Sequence, residues 1–97
     1  MYKVNYNHKK VAGIVKKYKG DKTLRKFAKE LCEGVKGVNL TYQAVHYWEH
    51  GKFLPNTNTM LTIYANTGDW RHDFAAEVLR VVNPDFYNQL RSHELQK

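Results

Sequence analysis

Ninety-seven residues, 42% hydrophobic and 13% aromatic, allow one domain with a single modest core and exclude both a second domain and a disordered tail. No apolar run approaches the ~20 residues that span a membrane, and the start MYKVNYNHKK does not read as a signal peptide, so a soluble, cytoplasmic chain is expected. The net charge of +7 is lopsided, because eleven basic and only three acidic residues precede Val38 while the remainder stands at −1; this points either to a side laid on a polyanion or to a solvated lysine-rich face.

Tyr2, Val4 and Tyr6 alternate with Lys3 and Asn5, a pattern for a short strand or a flexible arm. Asn7 can cap a helix over His8–Tyr18, in which Val11, Ile14, Val15 and Tyr18 form an i, i+3, i+4, i+7 stripe and the lysines take the other side. Gly20 and Asp21 end it. Thr23 then caps a second helix whose inner face is Leu24, Phe27, Ala28 and Leu31 and whose outer face is Arg25, Lys26, Lys29 and Glu30. Cys32 has no second cysteine to pair with, so a small buried thiol in a helix is expected. Gly34, Gly37 and Asn39 make EGVKGVN a loop.

The chain is organised around the next stretch, LTYQAVHYWEHGKFLP from Leu40 to Pro55. Thr41 can cap a helix through its hydroxyl, and Leu40 can pack on Val45 as a hydrophobic staple, so the helix begins at Tyr42. Ala44, Val45 and Trp48 share its inward side, while Tyr42, Gln43, His46, Tyr47 and His50 fall outside. Gly51 can stop this helix in a left-handed conformation, and Pro55 keeps the following residues extended. The outward row is short, uncharged and rich in hydrogen-bonding and aromatic groups, as a helix needs to reach base edges without a carboxylate facing nucleic acid.

After Pro55, Asn56 caps a fourth helix with an apolar stripe of Met60, Leu61, Tyr64 and Ala65 ending at Gly68. Asp69 caps a fifth, in which Phe74, Ala75, Val78, Leu79 and Val82 face inward. Asn83 and Pro84 then open a sixth to about Leu95, carrying Phe86, Tyr87 and Leu90. The expectation is an all-α single domain of five or six helices, with a core over about residues 8–82 and a C-terminal helix over about 84–95.

The second helix from Thr23, the helix from Thr41, the run Tyr47-Trp48-Glu49-His50-Gly51-Lys52, Pro55 and the helix from Asn56 together resemble the phage-repressor type of helix-turn-helix. That family includes the lambda repressor and Cro proteins and the xenobiotic-response-element regulators. The likeness covers about His8 to Leu79. It implies that the third helix lies in the major groove and the second crosses the backbone. By position, Tyr42, Gln43, His46 and Tyr47 fall at base-contacting sites. Thr23, Arg25, Lys26, Thr41, His50 and Lys52 fall at phosphate-contacting ones, and Val45 and Trp48 match buried positions. The resemblance further implies a cytoplasmic, nucleoid-associated transcriptional repressor in a bacterial or phage-infected cell. It would act as a homodimer on a pseudo-palindromic double-stranded operator, without cofactor or catalysis.

Two departures stand out. The family joins its second and third helices by about three or four residues, whereas the connector here is roughly seven to nine. A further turn of the second helix, or a loop projecting toward DNA or a partner, would absorb the extra length. The polar residue that often follows the Thr23 position is Leu24 here, leaving Arg25 or Lys26 to take its phosphate.

Other chemistry competes for the same residues. His46, Glu49 and His50 spell HxxEH, the inverted zinc-protease motif, but such an enzyme needs a third ligand and a cleft. No phosphate-binding glycine loop, cysteine pair or Ser/His/Asp grouping is visible. A different binding reading is an antitoxin or other interaction module that uses the C-terminal helices for a protein partner. Phe86, Tyr87 and Leu90 would serve there, would serve a dimer, or would close the monomer's own core.

Overall fold

The computed structural model describes residues 6–95, with side chains through residue 92. Helices α1 (Tyr6–Lys19), α2 (Leu24–Cys32), α3 (Tyr42–Glu49), α4 (Thr57–Asn66), α5 (Trp70–Val82) and α6 (Pro84–Leu95) follow one another. The described residues contain no strand, and none of their helices is long and apolar enough to cross a membrane. Of the alternating N-terminal segment, residues 1–5 lie outside the described residues.

Short polar side chains set most of the helix starts by accepting backbone N–H groups that have no partner within the helix. The Thr23 hydroxyl accepts from Lys26 at 3.1 Å and the Thr41 hydroxyl from Ala44 at 3.3 Å. The Asn56 side chain accepts from Asn58 at 2.8 Å, Asp69 from Arg71 at 3.0 Å and Asn83 from Phe86 at 3.3 Å. Pro84 stands first in α6, where its missing N–H costs nothing. The first helix departs from expectation: it begins at Tyr6, and Asn7 lies within the first turn rather than capping it. The Lys10 ammonium sits 5.0 Å from the centre of the Tyr6 ring, an i, i+4 contact that draws Tyr6 into the helix.

The core gathers Val11 and Val15 of α1, Phe27 and Leu31 of α2, Val45 and Trp48 of α3, Met60 and Ile63 of α4, and Phe74, Val78 and Leu79 of α5. α1 packs against both α3 and α5, α2 against α3, and α5 against α4 and α6. Phe27 meets Phe74 edge-on at 5.7 Å and stacks on Trp70 at 5.7 Å, locking α2 to α5. Polar contacts hold α1 on its two flanks. On one, the Tyr18 hydroxyl and the Lys17 ammonium donate to Glu77 of α5. On the other, the Lys19 ammonium faces the Glu49 carboxylate of α3 at 3.8 Å.

The fourth helix has a different inner face from the one its sequence suggested. Met60, Ile63 and Tyr64 are buried, whereas Leu61 is half-buried and Ala65 exposed. From Met60 the i+3 and i+4 positions are Ile63 and Tyr64, and the packing of α4 on α5 selects that side. Nor does Gly68 end the helix in a left-handed turn, since its φ is not positive. Instead the Thr67 hydroxyl donates to the Ile63 carbonyl at 2.6 Å, satisfying one of the last carbonyls locally. In α6, Tyr87 and Leu90 pack against the core, which spends much of the terminal apolar stripe inside the monomer.

Candidate nucleic-acid interface

α3 is fixed at both ends and on one side, leaving its outer row free. At its start stands the Thr41 cap, beside the half-buried Leu40 packed on the core. At its end Gly51 takes φ +69°. The Gly51 N–H donates to the Trp48 carbonyl at 3.2 Å and the Lys52 N–H to the Tyr47 carbonyl at 2.9 Å. This is a Schellman stop. Val45 is fully buried and Trp48 is 5% exposed. Tyr42, Gln43 and His50 are therefore exposed on the other side, with His46 and Tyr47 half-buried between them.

The outer row is one connected surface toward its C-terminal end. The His46 ring meets His50 edge-on at 4.2 Å and Tyr47 at 6.0 Å. The Lys52 ammonium lies 5.7 Å from the centre of the Tyr47 ring. The one carboxylate of α3 is withdrawn, because Glu49 is turned to Lys19, both side chains being less than a fifth exposed. Glu49 Oε2 is buried without a hydrogen bond, so Lys19 balances its charge across 3.8 Å and nothing more. The histidines of the HxxEH motif therefore face outward while its glutamate faces α1. Among the described residues no three His, Cys, Asp or Glu side chains gather as metal ligands.

At its N-terminal end the row is joined to α2. The Arg25 guanidinium lies over the Tyr42 ring at 4.4 Å, a cation–π stack across the two helices. Lys26 and Lys29 are exposed on the same helix as Arg25. Thr23 and Thr41, expected at phosphates, are exposed and spend one acceptor lone pair each on a cap, which leaves each hydroxyl a donor. Arg25 with Tyr42, and His46, Tyr47, His50 and Lys52, thus form two groups at opposite ends of α3. Gln43 lies on the helix between them. Leu24 is half-buried against the core and supplies no polar group.

The connector spans residues 33–41, nine residues, and neither of its expected courses is followed. α2 stops at Cys32 without a further turn, and the loop folds inward instead of projecting. Val35 and Val38 are buried, at 6% and 9% exposure. Gly34 at φ +74° and Gly37 at φ +83° provide the reversals that bring both valines to the same core. The half-buried Cys32 closes the base of the loop, its sulfur accepting the Leu40 N–H at 3.1 Å. From α5, the Arg71 guanidinium donates to the carbonyls of Glu30, at 3.1 Å, and Glu33, capping the end of α2 from outside. The start of α3 thereby hangs from a rigid support.

Sequence reasoning passed over two residues. Arg71 carried no local signal, since its partners lie 41 and 38 positions away. Phe53 did carry one, an aromatic side chain between the Gly51 stop and the buried Pro55. It is 60% exposed and meets the Tyr47 ring edge-on at 5.3 Å. Comparison of the chain with protein-family models, with curated proteins and with solved structures finds no match.

Proposed function

We propose that the protein is a sequence-specific double-stranded-DNA-binding regulator, a repressor of the phage helix-turn-helix type, with α3 in the major groove and α2 across the backbone. The carrying observation is the outer row of α3, a rigidly held surface of amide, phenol, imidazole and ammonium groups from which Glu49 is turned away toward Lys19. An eight-residue helix is ~12 Å long, about the span of three to four base pairs along the groove. Arg25, Lys26 and Lys29 on α2 and Lys52 after α3 give the flanking cations that phosphates require.

A single domain reading one half-site rarely reaches useful specificity, so the protein acts as a homodimer on a pseudo-palindrome with half-sites about one helical turn apart. Selection from a random duplex library, followed by light scattering of the complex, tests both parts. Enrichment of an inverted repeat bound by two chains is expected. No enriched sequence would sink the reading, and a monomer both free and on DNA would remove the dimer.

Binding is expected to be strongly salt dependent, since each phosphate neutralised adds about −0.9 to the logarithmic slope. With ~4 to 6 contacts per subunit, affinity falls by orders of magnitude between low and physiological salt. A flat dependence would contradict the charge reading.

A further inference from the structure

Phe53 is the most exposed large hydrophobic residue on or beside the α3 surface, at 60% against 39% for Tyr42. Exposure on a mobile loop would carry little meaning, but this residue is held. The backbone before it is pinned by the Schellman bonds of Gly51 and Lys52, and Pro55, two residues later, is buried. The Phe53 ring stands edge-on to Tyr47 at 5.3 Å, so the two rings make an apolar corner beside Lys52. The carboxylate of α3 is turned away to Lys19, and the charge recorded beside that corner among the described residues is the Lys52 ammonium. A polyanion is thus the partner that its electrostatics favour, and the apolar corner needs an apolar feature on that polyanion. In the major groove only one base offers it, the C5-methyl group of thymine.

We infer that Phe53 and Tyr47 form a methyl-reading corner that selects a thymine in each half-site, an inference that rests on the DNA-reading proposal above. Gln43 and Tyr47 are four residues apart, ~6 Å along the helix, so the selected thymine lies about two base steps from whatever base Gln43 contacts. Lys52, on a phosphate at the groove edge, would hold the corner against that base.

The test uses the full chain and the duplex that selection returns, with each thymine replaced in turn by deoxyuridine, which removes the methyl and leaves the pairing edge unchanged. Wild type should lose about fourfold in affinity at one thymine of each half-site, the worth of one buried methyl. Phe53→Ala, at an exposed position, should stay folded with a thermal midpoint lower by no more than the loss of one exposed ring pair allows, bind the thymine duplex about as weakly as wild type binds the uracil one, and no longer distinguish the two. Equal wild-type affinity for every uracil duplex overturns the inference while leaving sequence-specific binding intact. So does a Phe53→Ala protein that retains the full uracil penalty. A selection that returns no preferred sequence overturns this inference together with the DNA reading beneath it.

Discussion

The guanidinium of Arg25 lies 4.4 Å from the centre of the Tyr42 ring, so a cation on α2 rests on the first residue of α3. Arg25 is exposed, so under the proposed DNA reading its N–H groups are available to a phosphate oxygen. Arg25→Ala should cost folding stability about 0.5–1 kcal/mol, the scale of an exposed cation–π pair. It should also lower the salt slope of DNA binding by about one per subunit. Arg25→Lys should recover the slope but not the full affinity, because an ammonium neither stacks flat on the ring nor forks to phosphate. A lysine variant equal to wild type in affinity would show that the stack contributes nothing to binding.

Trp48 is 5% exposed and shares the core with Val45, Val11 and Val15. Trp48→Ala should cost ~3 to 5 kcal/mol, because packing around a removed indole collapses only in part. Equilibrium denaturation measures it directly, and an unchanged midpoint would mean that the inward face of α3 is misassigned.

Arg71 holds the exit of α2. Its guanidinium is shared between the carbonyls of Glu30 and Glu33 and the carboxylate of Asp69, which this hydrogen bonding holds below the usual carboxylate range. Arg71→Met keeps the aliphatic stem and removes the donors; the Glu30 carbonyl retains the Glu33 N–H and the exposed Glu33 carbonyl can turn to water, so the expected loss is about 0.5–1.5 kcal/mol. The effect should be local, with amide exchange accelerating across residues 33–41 more than in α1. Uniform acceleration would show that the clamp supports the whole fold and has no special hold on the connector.

The Tyr18–Glu77 bond gives stability a dependence on pH. Burial, and then the hydrogen bond to Glu77, pushes the Tyr18 hydroxyl from 10.0 up to about 12. Because the folded value is the higher one, this contribution is whole below pH 10 and is lost as pH rises through about 12. Burial pulls the Glu77 carboxyl upward, but hydrogen bonds from Tyr18 and Lys17 outweigh it and hold the group below its ordinary 4.5. Its contribution is therefore present above that value and lost in acid. Tyr18→Phe should flatten the alkaline decline relative to wild type and, because Glu77 then loses one of the hydrogen bonds that hold its carboxyl down, flatten the acid decline too, the deficit against wild type being present near neutral pH and closing toward acid. Parallel wild-type and variant curves between pH 10 and 12 would show that Tyr18 carries no folding-linked proton.

Thr23, Thr41, Asn56, Asp69 and Asn83 were legible as helix starts because each is a short acceptor directly before an apolar-periodic run, and capping is local. The Gly51 stop and the burial of Val45 and Trp48 were legible for the same reason: one turn of helix decides them. The fourth helix differs at Leu61, Ala65 and Ile63 because residues 60, 61, 64 and 65 and residues 60, 63 and 64 are both helical stripes from the same Asn56 cap, and only the packing of α4 on α5 chooses between them. The connector resisted reading because its course depends on distant partners, Arg71 from α5 and a core surface for Val35 and Val38. For the outer row of α3, sequence identified which residues face outward. The Arg25–Tyr42 stack and the Tyr47–Phe53 corner depend on how separate segments meet, which periodicity does not encode.

Under the proposed DNA reading, Gln43 and Lys52 separate the two kinds of contact that a helix in the major groove makes. Gln43 is exposed in the first turn of α3, where the Thr41 cap fixes its position, and it lies between the Arg25–Tyr42 stack and the His46–Tyr47–His50 cluster. A glutamine amide presents one donor and one acceptor in a plane, matching N6 and N7 of adenine, a pairing that discriminates by ~1 to 3 kcal/mol. Lys52 is exposed beyond the Schellman stop and offers a point charge without directional preference. Gln43→Ala should therefore relax the preference at one base pair of each half-site and leave the salt slope nearly unchanged. Lys52→Ala should weaken all sequences alike and reduce the slope by about one per subunit. Library selection with wild type and both variants, followed by salt titrations on the enriched duplex, gives both quantities. Identical base preferences for wild type and Gln43→Ala would remove Gln43 from the reading surface, and a sequence-selective loss in Lys52→Ala would mean that its ammonium reaches a base edge instead of a phosphate.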